Sequence, residues 1–123
     1  MSDSIEKRHV WINYKEMEIL YTDYKNLQGE QFVKTIEVLT ENLLDMGKKE
    51  VLLLLDLQGS YANKEVVNAY IAAAKKVNPI VKKTAVLGIT GVKKVLLNVV
   101  NKFSDVGAKP FTNEEEAKEW LIK

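Results

Sequence analysis

The segment Gly88-Ile89-Thr90-Gly91-Val92-Lys93-Lys94 sets two glycines, a hydroxyl and two lysines where an apolar run gives way to a helical pattern. Free N–H groups at a helix start, the positive end of the helix dipole, the Thr90 hydroxyl and the nearby Lys93 ammonium form a set that suits an anion. Neither phosphate-binding signature fits. A P-loop has four residues between its glycines and then Lys followed by Ser or Thr; here two residues intervene and Lys94 stands in place of the hydroxyl. The dinucleotide fingerprint needs three glycines in the first crossover and an acid about 20 residues on. Two readings stay open: an anion cradle, or a tight corner in which Gly88 and Gly91 allow the turn and Thr90 caps the helix.

Asp56 closes the apolar run "EVLLLLD", and Ser60 and Tyr61 follow in the loop "QGSYA". Sites in open α/β sheets form at the carboxyl ends of strands, so these three join Gly88, Thr90, Gly91 and Lys93 as candidates for contact with a partner or ligand. The plainer reading has Asp56 satisfying loop amides and Ser60 serving turn geometry. His9 is the one histidine, so a Ser-His arrangement must use it; its place at the edge of a first strand suits an exposed or packing role. Glu114, Glu115 and Glu116 suit the positive end of a helix. There is no cysteine and the acids are dispersed, so no catalytic group, metal site or cofactor is expected.

The elements that would position these residues follow from periodicity. "HVWINYKEMEILYTD" holds two β-branched and aromatic runs with Lys15 and Glu16 at the turn, which predicts a hairpin. From Gly29 to Met46, Phe32, Ile36, Leu39, Leu43 and Met46 recur at three and four, so a helix is expected there, with Gly47 at its C-cap. "EVLLLLDL" is too short for a typical helix and fits a central strand covered on both faces. Asn63 can cap the next helix, whose stripe is Val66, Val67, Tyr70, Ile71, Ala74 and Val77, before Pro79 stops it. "TAVLG" predicts a second buried strand, and the helix opened by Thr90 or Gly91 runs through Val92, Val95, Leu96, Val99 and Phe103. Pro110 in "AKPF" puts that strand at an edge. A last helix follows, with Thr112 and Glu115 in capping-box spacing and Trp120 and Leu121 docking it.

A chain of 123 residues, 46% hydrophobic and 28% charged, is that of one globular domain. No apolar run approaches the roughly 18 residues of a membrane-spanning helix. "MSDSIEKRH" lacks the apolar h-region of a signal peptide, so a cytoplasmic protein is expected. Net charge is +1, but residues 1–62 hold 7 basic and 11 acidic side chains and residues 63–123 hold 11 and 6. The lysine pairs at 75/76, 82/83 and 93/94 are accompanied by a single arginine, Arg8, which argues against a nucleic-acid surface.

Lys82 to Leu121, "KKTAVLGITGVKKVLLNVVNKFSDVGAKPFTNEEEAKEWL", resembles the carboxy-terminal half of the SpoIIAA-like group of STAS domains, the fold of bacterial anti-sigma-factor antagonists. The alternation of these elements predicts an α/β fold with a five-stranded, mostly parallel mixed sheet and four helices in the order ββαβαβαβα, and the resemblance implies one STAS-like domain over residues 1–123. It also implies a non-catalytic regulatory module that meets a protein partner, or itself, through the loops at the strand ends. The family's aspartate corresponds to Asp56. Its Ser-Ser-Gly phosphorylation signature is absent from "DLQGSYANKEVVNAY", where an ungapped placement puts Glu65 near the acceptor position and leaves Ser60 as the nearby candidate. The same group is likened to CRAL-TRIO domains, which hold lipids between helices and sheet. The alternative is therefore a small-ligand domain, for an apolar molecule or an anion.

Overall fold

The structure, a computed structural model, describes residues 5, 7–89, 101 and 108–123. Its elements are β1 (His9–Tyr14), β2 (Met17–Asp23), α1 (Gly29–Asp45), β3 (Val51–Asp56), α2 (Lys64–Val77), a 3₁₀ turn (Asn78–Ile80), β4 (Val81–Leu87), β5 (Ala108–Phe111) and α3 (Glu114–Leu121). Three α-helices thus lie among the described residues where the sequence predicts four. The helix expected to open at Thr90 or Gly91 falls on residues outside that set.

Side chains of a strand alternate between faces, so a strand covered on both sides must be apolar throughout. That is the case for β3, which is buried along its whole length at the centre of a sheet ordered β1-β2-β3-β4-β5. Leu53 and Leu55 join a core cluster with Phe32, Ile36 and Leu39 of α1 and Val66 of α2. Leu52 and Leu54 join a second cluster with Ala117 and Leu121 of α3. The sheet is therefore a middle layer, with α1 and α2 on one face and α3 on the other. β2, β3, β4 and β5 pair in parallel, and β1 pairs antiparallel to β2.

The hairpin turn is Lys15-Glu16, with both residues at positive φ (50° and 70°), as a two-residue turn matched to strand twist requires. Gly47 follows α1 at φ 68°, the left-handed conformation expected of a residue beyond a helix end. Asn63 caps α2 by accepting from the Val66 N–H at 2.9 Å. Ala69 and Ala73, rather than Ile71, share the inward face of α2 with Tyr70 and Val77. β5 lies at an edge, where Pro110 removes no central ladder bond.

One cap differs from expectation. Asn113, not Thr112, begins α3, its side chain accepting from the Glu116 N–H at 3.0 Å. Thr112/Glu115 and Asn113/Glu116 have the same spacing, and asparagine is the better N-cap. α3 is further held by the Tyr14 hydroxyl, which donates to Glu119 at 2.6 Å, and by Lys15, 2.7 Å from the same carboxylate.

Candidate functional site

The carboxyl ends of β2, β3 and β4 and the loops that leave them form one rim. Asp23 and Asp56 stand beside each other in the β2/β3 register, and Leu87 stands beside Asp56 in β3/β4. Asp56 is 2% exposed and its carboxylate is fully engaged. Oδ2 accepts from the Tyr21 hydroxyl at 2.6 Å, and Oδ1 accepts from the Gln58 backbone N–H at 3.1 Å and from Gln58 Nε2 at 3.0 Å. Burial, followed by this bond to Asp56, pushes the Tyr21 hydroxyl pKa well above its ordinary value. Asp23 faces Arg8 at 3.5 Å and accepts from the Lys25 N–H.

Backbone bonds tie the three loops together. Tyr24 N–H donates to the Asp56 carbonyl, Asn26 N–H to Gln58, Leu57 N–H to Leu87, and Tyr61 N–H to Leu27, all at 2.9–3.0 Å. Gly88 makes this close approach feasible. It sits at φ 84°, and a Cβ there would lie 2.5 Å from the Gln58 nitrogen and 2.8 Å from the Leu57 carbonyl carbon. At the Gly88 end, therefore, the corner is filled by backbone, and the glycine is needed for space as well as conformation. Thr90, Gly91 and Lys93, the rest of the anion-cradle candidate, lie outside the described residues.

Ser60 is 7% exposed, and its Oγ donates to the Leu57 carbonyl at 2.6 Å. The hydroxyl closes the turn beneath the loop. Tyr61 is the opposite case: 65% exposed at the crest of the same loop, with its backbone fixed to Leu27. Of the sequence candidates, the structure brings Asp56, Ser60, Tyr61 and Gly88 into one hydrogen-bonded rim, in which Tyr61 alone of the four is exposed. Tyr21 is the member that sequence reasoning missed. Its link to Asp56 depends on strand register, for which the sequence of β2 carries no signal.

His9 faces inward rather than outward. Its Nδ1 is buried without a hydrogen-bond partner among the described residues, and burial pushes its pKa from 6.5 down to about 4. Among the described residues no group of three His, Cys, Asp or Glu side chains is placed to hold a metal ion. No helix among them is long and apolar enough to cross a membrane.

A family model described as SpoIIAA-like matches residues 18–122. The chain is also similar to the crystal structure of an uncharacterised protein of the DUF3478 family, with a SpoIIAA-like fold, from Shewanella loihica PV-4. Sequence identity is 17%, the match covers 92% of this chain and 91% of the other, and the TM-score is 0.69. At that identity the likeness speaks for the fold. No curated protein matches the chain.

Proposed function

The chain belongs to the SpoIIAA-like family, and from that premise we propose that it is a non-catalytic STAS-type regulatory module of the cytoplasm that engages a protein partner through the rim at the strand ends. The observation that carries this reading is Tyr61, a large side chain 65% exposed on a loop whose backbone is held by its neighbours. An aromatic side chain on a rigid support loses little freedom on binding, which is why tyrosine is common among residues that dominate interfaces. Gln58, Lys25 and Asn26 are exposed around it and supply a polar rim. In this reading Asp56 acts through the loop geometry that it holds. Phosphorylation at Ser60 would require the turn to open and its bond to Leu57 to break, which would unseat Tyr61 and turn recognition off.

The test is affinity capture from native extract with the full chain and with Tyr61→Ala, together with light scattering for self-association. The substitution should leave stability within about 0.5 kcal/mol, since the side chain is at the surface. Loss of an aromatic anchor worth about 2 kcal/mol should weaken the partner about 30-fold. Equal recovery of the same partner by both chains would count against this surface; no stoichiometric partner and no self-association would count against the module itself.

A further inference from the structure

A second feature lies between the sheet and the pair α1/α2. A space of about 50 Å³ is lined on its polar side by His9, Thr22, Tyr24, Tyr70 and Thr84. Leu39, Leu53, Leu55 and Val77 form apolar walls to the same space. It is far too small for a lipid chain, since a water needs about 10–15 Å³ on this measure, and four such groups fill it.

The polar side is unusual for a core. His9 Nδ1 is buried with no hydrogen-bond partner among the described residues, and the hydroxyl-bearing side chains of Thr22, Tyr24, Tyr70 and Thr84 line the same space. Thr40, which also lines the space, returns its hydroxyl to the Ile36 carbonyl at 2.6 Å and is satisfied. Buried polar groups without partners are destabilising unless an occupant completes their bonds. Among the described residues, no Asp, Glu, Lys or Arg side chain lines the space. Burial holds His9 neutral at pH 7 and keeps the hydroxyls of Tyr24 and Tyr70 protonated. A charged occupant would meet no counter-charge there.

A groove of about 290 Å³ runs between α1 and α2, lined by Ala69, Ala72 and Ala73 on α2 and by Ile36, Glu37 and Glu41 on α1. Thr40 and Ala73 line both spaces, so those two side chains separate the groove from the inner space. Glu41 and Lys76, 3.7 Å apart, pair from one helix to the other along the groove. Both are largely exposed, and such a pair holds the helices together only weakly.

We propose that the space beneath α1 and α2 binds a small neutral amphiphile of about four non-hydrogen atoms with one hydroxyl or carbonyl group, a short alcohol, ketone or amide, entering between Thr40 and Ala73. The hydroxyls and His9 hold the polar end and the leucine walls hold the rest. The site shares Tyr24 with the rim through that residue's backbone N–H, and it needs no protein partner.

Acetamide, with acetate as its charged counterpart of the same shape, tests this on the full chain by amide NMR titration. Acetamide should give saturable shifts at Tyr70, Ala73 and Thr84 in the millimolar range, and acetate should give none. Tyr70→Phe and Thr84→Val each remove one hydroxyl while preserving shape, so at least one of them should fold normally. Each should weaken acetamide by about two- to tenfold. Shifts that never saturate would overturn the proposal and leave an inner space holding water alone. Equal binding of acetate, or acetamide binding unaltered in both variants, would overturn it as well.

Discussion

Gly88 and Gly47 both adopt positive φ, 84° and 68°, but their surroundings differ completely. A Cβ at Gly47 would meet nothing within 4 Å, so Gly47→Ala carries only the left-handed backbone term of about 1 kcal/mol. A Cβ at Gly88 would come within 2.5 Å of the Gln58 nitrogen and 2.8 Å of its Cα, where ordinary contact is 3.4–4 Å. The loop must therefore retreat by about 1 Å, a displacement of the kind that makes overpacking cost about 1–3 kcal/mol. It cannot retreat freely, because Leu57 is bonded to Leu87, Gln58 to Asp56, and Asn26 to Gln58. Gly88→Ala should lose about 2–4 kcal/mol in all. Urea denaturation measures the difference: at about 1.5 kcal/mol per molar, the midpoint of Gly88→Ala should fall about 1.3–2.7 M below that of wild type, and that of Gly47→Ala by less than 1 M. Two variants destabilised alike, within about 0.5 kcal/mol, would refute the argument that close approach, rather than φ alone, fixes the residue at position 88.

Two further outcomes follow from buried polar groups. The folded chain keeps His9 neutral down to about pH 4 while the unfolded chain protonates it near 6.5. Stability should therefore fall as pH drops through that interval and be unaffected above it. The full gap would amount to about 3 kcal/mol, and partial exposure of the ring reduces the expectation to about 1–2 kcal/mol. Urea midpoints for wild type and His9→Gln should converge or cross between pH 7 and pH 4.5; parallel lines would exclude the ring as the source. At the rim, the Tyr21 hydroxyl donates to a buried carboxylate, so Tyr21→Phe should cost about 1.5–3 kcal/mol. A double-mutant cycle with Asp56→Ala should give a coupling above about 1 kcal/mol, and additive losses would mean the two act separately.

Elements whose identity depends on local pattern were legible in the sequence. The apolar run of β3 implied cover on both faces, the Lys15-Glu16 break marked the hairpin, and Pro110 assigned β5 to an edge; the structure agrees on each. The cap of α3 was displaced by one residue because Thr112 and Asn113 present the same spacing to an acid. Features assembled from distant elements were not legible. The inner space draws His9 from β1, Thr22 from β2, Tyr70 from α2 and Thr84 from β4, and nothing in any one of these segments signals the others. Ser60 and Tyr61 are adjacent in sequence yet one is buried and the other exposed, a contrast set by a turn closing on Leu57 and Leu27.

The strands lie in space in the order in which they occur along the chain. During synthesis, each new strand can dock on the margin of what the ribosome has already released, with no need to part an earlier pair. The sheet can grow like a wall laid course by course. Truncation from the carboxyl end would then leave shorter sheets that expose one unfinished flank, while loss of β3 would separate the hairpin from everything translated after it.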